Sequence, residues 1–397
     1  MEQRVGKVEN WLFYFMGGFA LSSSLSIAAG NIFLSLGLLA LLYRLYLKHD
    51  DLGRILRFDS VLTASFAALL GITLLSAMFS GDAVWGLRLF SDYYGYRMLG
   101  FYIVLIAVRD RSRLWRLVQL TAASILLNNV YTIWMGVQHL SKMDRPSGFM
   151  SYMAQAGILS AAVPIFVLAC IRYQGRWRNY MLGAVVLSVA ALLYNGTRGA
   201  WVAAAITAPL VAFFAVESKK KFLAGCLLAV LGIGVCFAVV PRLQHLAMTF
   251  TQADYQSNSE RRLMWTSAFH MFQDHPLLGV GFGQYEHAYQ TQYILPEAKE
   301  RELGHAHSNV MQMLGERGAL GCAAFCFMWV YFMYFALRGW LRYKDAAYLA
   351  FFAVVLGVML QGLTEYNMGT TVVSKFYWFA LAVGLQWFRL KEEETGK

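Results

Sequence analysis

"KKKFLAGCLLAVLGIGVCFAVV", residues 219–240, sets three lysines in front of nineteen residues that carry no charge. A helix that crosses the hydrocarbon core of a membrane needs about 20 predominantly apolar residues. This stretch meets that length, and its lysines can stay in water at one end. The same pattern recurs along the chain. The 397 residues are 58% hydrophobic and only 14% charged, against about a quarter charged in soluble globular domains. Twelve candidate spans stand out, roughly 10–27, 29–47, 60–79, 93–108, 116–136, 150–171, 180–195, 199–216, 222–240, 318–337, 346–364 and 370–388. The sequence therefore predicts an all-α polytopic membrane protein of about 12 transmembrane helices. A transmembrane β-barrel would show short alternating segments instead.

The net charge of +11 would suggest nucleic acid in a soluble protein. Here it follows from the concentration of Lys and Arg in cytoplasmic loops, and no nucleic-acid partner is expected. The basic connections are "YRLYLKHDDLGRILR", "RDRSRLWR", "RYQGRWR", "KKK", "RGWLRYK" and the tail "RLKEEETGK". With twelve spans all of them fall on the side of both termini, which makes that side cytoplasmic. The N-terminal "MEQRVGKVENWLFYF" reads as a retained first helix rather than a cleaved signal. Cys170, Cys226, Cys236, Cys322 and Cys326 all sit in apolar runs, where cysteine behaves as a small hydrophobe rather than as part of a disulfide framework.

The outer side receives "SGDAVWGLRLFSDYY", "HLSKMDRPSGF", the tight turn "NGTRG" and one long segment from Pro241 to about Arg317. Loops of that length are functional or disordered. Trp265, Phe269, Phe272 and Phe282 predict that this one folds on the membrane surface with short helices of its own. The expected organisation is a single membrane domain, 1–397, with a large loop, 241–317, between spans nine and ten.

Chemistry could sit in three outer stretches. In "YNGTRGAW", Arg198 lies at the end of two spans joined by almost no loop. An arginine at membrane depth is costly and is a functional hypothesis by default; the plain alternative is a side chain snorkelling to water. In "NSERRLMWTSAFHMFQDHPLLGVGFGQY", Ser259 is placed to cap a helix running to about Asp274. Helical spacing puts Arg261, Trp265, Phe269 and Phe272 on one stripe, with Arg262 pointing elsewhere. "GVGFG" lacks the strand and helix of a dinucleotide site and reads as a turn. The third stretch, "ELGHAHSNVMQMLGERGALG" (302–321), holds His305 and His307. A zinc site needs three or four ligands; His-x-His supplies two, so no metal is expected. A neutral imidazole can instead act as a general base. Arginine recognises phosphate bidentately and stabilises a leaving diphosphate. Together these residues are suited to moving a group from a lipid-linked diphosphate donor. A transporter would place ionisable residues at mid-span.

"TRGAW", "ERRLMW…HPLLGVGFGQY" and "HSNVMQMLGERGALG", in that order, resemble the O-antigen ligase/O-antigen polymerase superfamily. "RPSGF", Arg145–Phe149, resembles an earlier element of the same family. The resemblance implies a metal-independent, cofactor-free glycosyltransferase with a GT-C-like helical membrane fold. It implies that Arg198 and Arg261 bind the diphosphate of an undecaprenyl-diphosphate-linked glycan donor. It makes His307, followed by "SNVMQ", the catalytic histidine; His305 has no counterpart, and Ser308 stands where the family usually has Asn. Arg88, Arg145, Arg262 and His305 are further candidates for substrate binding, and Arg97 and Glu365 for lining the cavity. The length and the single large outer loop suit a ligase, which transfers O-antigen to a sugar hydroxyl of lipid A-core oligosaccharide. The expected setting is the periplasmic face of the bacterial inner membrane, among its lipids, and in-line attack would invert the anomeric centre. The alternatives are an O-antigen polymerase or a protein O-oligosaccharyltransferase of the same superfamily and, from another class, a lipid-linked glycan transporter.

Overall fold

The computed structural model describes residues 2–48, 58–138, 145–249, 252 and 255–395. His139, with the "HLSKMD" part of its connection, and residues 49–57 lie outside them. The elements are all helical: α1 (Glu2–Ser22), α2 (Ile27–Leu47), α3 (Ser60–Met78), α4 (Ala83–Phe90), α5 (Leu99–Ala107), α6 (Arg111–Gln138), α7 (Tyr152–Arg172) and α8 (Gly175–Asn195). They continue as α9 (Arg198–Ala215), α10 (Lys219–Val239), α11 (Pro241–Met248), α12 (Gln256–Asp274), α13 (Tyr285–Ala288), α14 (Asn309–Tyr343), α15 (Ala346–Gln361) and α16 (Thr371–Thr395). Among the described residues no strand occurs. Side chains of Ser26, Asp59, Ser151, Ser218, Ser308 and Asp345 accept from first-turn N–H groups, and so satisfy donors that a helix start leaves open.

Eight of these helices are long and apolar enough to cross a membrane: α2, α3, α6, α7, α8, α9, α10 and α14. The other expected spans are helices too, but α5 and α15 are shorter and α1 and α16 are more polar. The protein is an all-α polytopic membrane protein. α7 is the central helix, packed against α8, α9 and α15 and 72% buried over its most apolar window. α10, the stretch quoted above, buries no residue. It touches α9 through Phe237 on Trp201 and Phe222 on Phe213, and the rest of its uniformly apolar surface suits lipid rather than a protein core.

A buried polar network ties α6, α7 and α8 together near the turn that carries Arg198. Gln155 donates to Thr132 (2.6 Å), Asn129 donates to Ser188 (3.0 Å), and Asn195 donates to Gln155 Oε1 (3.2 Å) and to the Tyr152 carbonyl (2.8 Å). Asn128 accepts from the Phe149 N–H at 2.8 Å, which fixes the "RPSGF" turn. Where no water is available, such satisfied networks specify a unique arrangement.

Several local expectations are corrected. The outer connection after α3 contains the helix α4. α12 begins at Gln256, so Ser259 lies inside it, its hydroxyl donating to the Gln256 carbonyl. The inner face of α12 is Glu260, Met264, Ser267, Ala268 and Met271, while Phe269 is exposed. The reason is the partner surface: Tyr285, Tyr289 and Tyr293 already fill that space, which leaves room for Met and Ala but not for a second aromatic row.

The expected span starting at 318 extends back to Asn309, and Gly318 breaks it with φ 61° and ψ −161°. An α-helix pairs each N–H with the carbonyl four residues earlier, so this break frees the carbonyls of Gly315 and Glu316 and the N–H groups of Ala319 and Leu320. Segment 276–281 takes up all four. Val280 N–H donates to Gly315 O (2.9 Å), Gly281 N–H to Glu316 O (3.1 Å), Ala319 N–H to Pro276 O (2.8 Å) and Leu320 N–H to Leu277 O (3.3 Å). Ser76 of α3 adds bonds to the Leu278 and Glu316 carbonyls, at 3.0 and 2.9 Å. A Cβ on Gly279 would strike the Gly315–Arg317 backbone, and one on Gly318 the Leu277 carbonyl.

Gly318 occupies a conformation open essentially only to glycine, where strain runs to about 1–3 kcal/mol. Gly318→Ala and Gly279→Ala should each lower the melting temperature in detergent by several degrees. Gly183→Ala, at a helical site with nothing within 4 Å, should leave it unchanged or slightly raised. Equal melting of all three would show that the break is not held by segment 276–281.

Candidate active site

The chain between α12 and α14 delivers residues 305–308 to the loop between α15 and α16. Ala306 is held on both sides: its carbonyl accepts from the Trp265 indole N–H (2.9 Å), and its N–H donates to Gln312 Oε1 (2.8 Å). Ser308 caps α14, and the Asn309 N–H donates to the Gly362 carbonyl at 2.7 Å. Between these anchors His307 adopts φ 46°. A non-glycine residue rarely takes a left-handed conformation, and when it does the surroundings must enforce it.

The facing loop is equally fixed. Asn309 donates to Asn367 (2.7 Å), and Asn367 donates to the Val358 carbonyl (2.7 Å) and to Gln361. Arg97, ion-paired with Asp92 at 2.6 Å, donates to the Gly369 carbonyl at 2.7 Å. Glu365 thereby meets His307: Nδ1 stands 3.2 Å and 3.1 Å from the two carboxylate oxygens. Donation from Nδ1 leaves Nε2 as the acceptor of a neutral ring, and no partner for Nε2 is found among the described residues. His305 packs edge-on against His307, ring centroids 4.2 Å apart.

Burial by itself would raise the Glu365 carboxyl. The hydrogen bond from His307 and the electrostatic influence of His307, His305 and Arg261 outweigh it and hold it below the usual range. Burial lowers His305, and neighbouring His307 lowers it further, which favours its neutral form. Burial also draws Arg261 down, and Arg145 adds to this while Glu365 opposes it. Arg261 Nε is buried without a hydrogen-bond partner, and Nη1 donates only weakly to Ser257 O (3.3 Å). A guanidinium held this way is short of an acceptor.

Arg198 is differently placed. Its Nη1 donates to the Thr249 carbonyl (2.7 Å) and hydroxyl (2.8 Å), and its Nη2 to Ser257 (2.9 Å) and Asn258 (2.9 Å). It therefore clamps the first turn of α12, four residues before Arg261, while remaining close enough to repel both Arg261 and Arg145. Arg145 lies over the Tyr152 ring at 5.1 Å. Arg262 is exposed on the far side of α12. Arg88 is exposed on α4 and makes no contact with this cluster. The structure thus brings together Arg145, Arg198, Arg261, His305, His307 and Glu365, and leaves Arg88 and Arg262 apart.

Glu365 also changes the ligand count read from the sequence. His305, His307 and Glu365 each offer one ligand atom, all within 4.8 Å of one another, which is the three protein ligands of a catalytic zinc site. Three guanidinium groups around the same space oppose a dication and favour an anion.

Residues 183–326 match the family described as O-antigen ligase, the superfamily whose motifs the sequence resembles. The matched stretch runs from within α8 to within α14 and contains Arg198, Arg261, His305 and His307. No curated protein matches the chain. The family implies glycosyl transfer of the ligase/polymerase type, acting on lipid-linked glycans in a membrane.

The Glu365 carboxyl is lowered on folding, so the stability it contributes is present above the ordinary glutamate value of about 4.3 and is lost as pH falls through the lowered value. Glu365→Gln should melt below the wild-type protein at pH 7, with the gap closing only well under pH 4.3. A gap that already closes near pH 5 would show that the His307–Glu365 contact does not hold the carboxyl down.

Proposed function

We propose that this chain, whose residues 183–326 match the O-antigen ligase family, is a glycosyltransferase moving O-antigen polysaccharide from undecaprenyl diphosphate to a sugar hydroxyl of lipid A-core oligosaccharide. We place the reaction at the periplasmic face of the inner membrane, on the large outer segment 241–317 of a single membrane domain, with both termini cytoplasmic. The observation that carries the reading is His307 Nδ1 within 3.2 Å of both Glu365 oxygens, beside Arg261, whose buried Nε has no hydrogen-bond partner.

The chemistry follows from these groups. Glu365 takes the Nδ1 hydrogen bond and fixes the ring, so that Nε2 presents its lone pair. Nε2 accepts the proton of the acceptor hydroxyl as that oxygen attacks the anomeric carbon. The bond from that carbon to the diphosphate oxygen breaks, and its electron pair leaves on undecaprenyl diphosphate. Attack from the face opposite the leaving group inverts the centre. Arg261, with Arg145 beside it, meets the charge growing on the diphosphate. Arg198 adds positive potential and holds the turn of α12 that carries Arg261. Glu365 stabilises the imidazolium until the proton departs. No metal is needed for any step.

A polymerase or a protein O-oligosaccharyltransferase would use the same first half of this mechanism and differ in the acceptor. The product made in a ligase-deficient strain separates them: glycan should appear on lipid A-core, not as longer glycan on the carrier or on protein. A lipid-linked glycan transporter would release no undecaprenyl diphosphate when the purified protein is given donor and acceptor.

His307→Ala should reduce transfer at least about 100-fold, the lower end of what a general base contributes, with normal protein in the membrane. Arg261→Lys keeps the charge but loses the fork and should also lose most activity. Unchanged transfer in either variant removes that residue from its role. Activity should survive EDTA; loss with EDTA and recovery with zinc would instead assign His305, His307 and Glu365 to a metal.

A further inference from the structure

Glu365 is followed by a tyrosine that the transfer chemistry does not use. Three consecutive side chains of this loop take three different partners: Glu365 meets His307, Tyr366 meets Tyr93, and Asn367 meets Asn309. Tyr366 is buried, and its hydroxyl donates to the Tyr93 hydroxyl at 3.3 Å. Gly369 closes over the Tyr366 ring, where an added Cβ would strike Cε1. His305 packs steeply on the same ring, centroids 5.9 Å apart. Tyr366 thus adjoins Glu365 along the chain and His305 in space.

Tyr93 is set by a turn of unusual width. Ser91–Tyr96 form one π-helical turn, closed by the Arg97 N–H, which donates to the Asp92 carbonyl five residues back at 2.8 Å. Such turns are rare and concentrate at functional sites. This one aims two side chains at the loop after α15. Arg97, held by Asp92, reaches the Gly369 carbonyl, and Tyr93 lies under the Arg97 guanidinium at 3.7 Å. Phe282 packs edge-on against Tyr93, centroids 5.4 Å apart. Tyr93 is therefore a fixed post, and Tyr366 is tied to it. Consecutive Cα atoms are held about 3.8 Å apart, so any shift of Tyr366 carries Glu365 with it. Misplacement of a reacting group by about 1 Å can cost about 100-fold in rate.

We propose that Tyr366, anchored through its hydroxyl on Tyr93, is a positioning residue that keeps the Glu365 carboxylate on His307 Nδ1. The proposal rests on the reading of His307 and Glu365 as the base and its partner. Its test is steady-state transfer by the purified full-length protein from the undecaprenyl-diphosphate-linked donor to the lipid A-core acceptor. Tyr366→Phe removes only the hydroxyl. It should lower kcat about 10-fold, the size of one lost hydrogen bond expressed as a rate, and leave KM for the donor unchanged. In a Glu365→Gln background the same change should cause no further loss, because Tyr366 acts through that carboxylate. Tyr366→Phe leaves the Tyr93 hydroxyl without its partner, which can loosen the fold. Tyr93→Phe/Tyr366→Phe removes both hydroxyls at conserved shape, so it should melt as the wild-type protein does and still show the lower kcat. Wild-type kcat in Tyr366→Phe or in the double variant overturns the proposal, and so do losses that multiply in the Glu365→Gln background. Wild-type transfer by Glu365→Gln alone is a different failure: it removes the reading on which the proposal rests, and the proposal with it.

Discussion

The break at Gly318 is the constraint on which the half of the molecule that carries His307 depends. A helix that stops pairing near the membrane leaves four backbone groups needing partners, and an unpaired polar group in an apolar setting is expensive. Segment 276–281 supplies all four. This accounts for two glycine-containing motifs at once. Gly279 permits backbone to approach backbone, and Gly318 permits the break that invites the approach. The stretch that looks like a phosphate loop, "GVGFG", therefore has a packing role here: its first members complete a neighbouring helix, and the Gly283 N–H donates to the Glu316 carboxylate at 3.2 Å.

The site inherits its geometry from that join. Once α14 is docked on 276–281, its first turn carries Asn309 against Asn367 and His307 against Glu365. α12, bound through its inner face to the same helix, brings Trp265 to the Ala306 carbonyl. Arg198, from the turn between two spans, clamps the start of α12. Each functional side chain is thus placed by at least one contact from another element. Such over-determination is what a histidine held in the left-handed region requires, and it is the kind of positioning that the proposed chemistry demands.

Much of this was legible in the sequence. Apolar run length alone identifies the membrane helices, because lipid leaves few other options for the backbone. Arg198 stood out because an arginine at membrane depth is costly, Arg261 by its helical spacing to Trp265, and His307 only through the resemblance of "HSNVMQMLGERGALG" to the family motif. What the sequence concealed was pairing across distance. Glu365 lies 58 residues from His307, and nothing local in "GLTEYNMG" says that its carboxylate faces an imidazole. A lone acid in a short outer connection was the available signal, too weak to give the third ligand atom or the partner of the base. Periodicity also misplaced the inner face of α12, because it ranks residues by apolarity and cannot see the three tyrosines already occupying that space.

The claim at the centre is that Glu365 holds His307 with Nδ1 protonated and Nε2 carrying the lone pair. Solid-state ¹⁵N NMR of histidine-labelled protein in lipid, with His307 assigned by its loss in His307→Ala, reads the tautomer directly. At a pH where the ring is neutral, the account predicts a protonated Nδ1 and an unprotonated Nε2, with that preference lost in Glu365→Gln. A His307 ring protonated at Nε2, or one indifferent to Glu365→Gln, would contradict it.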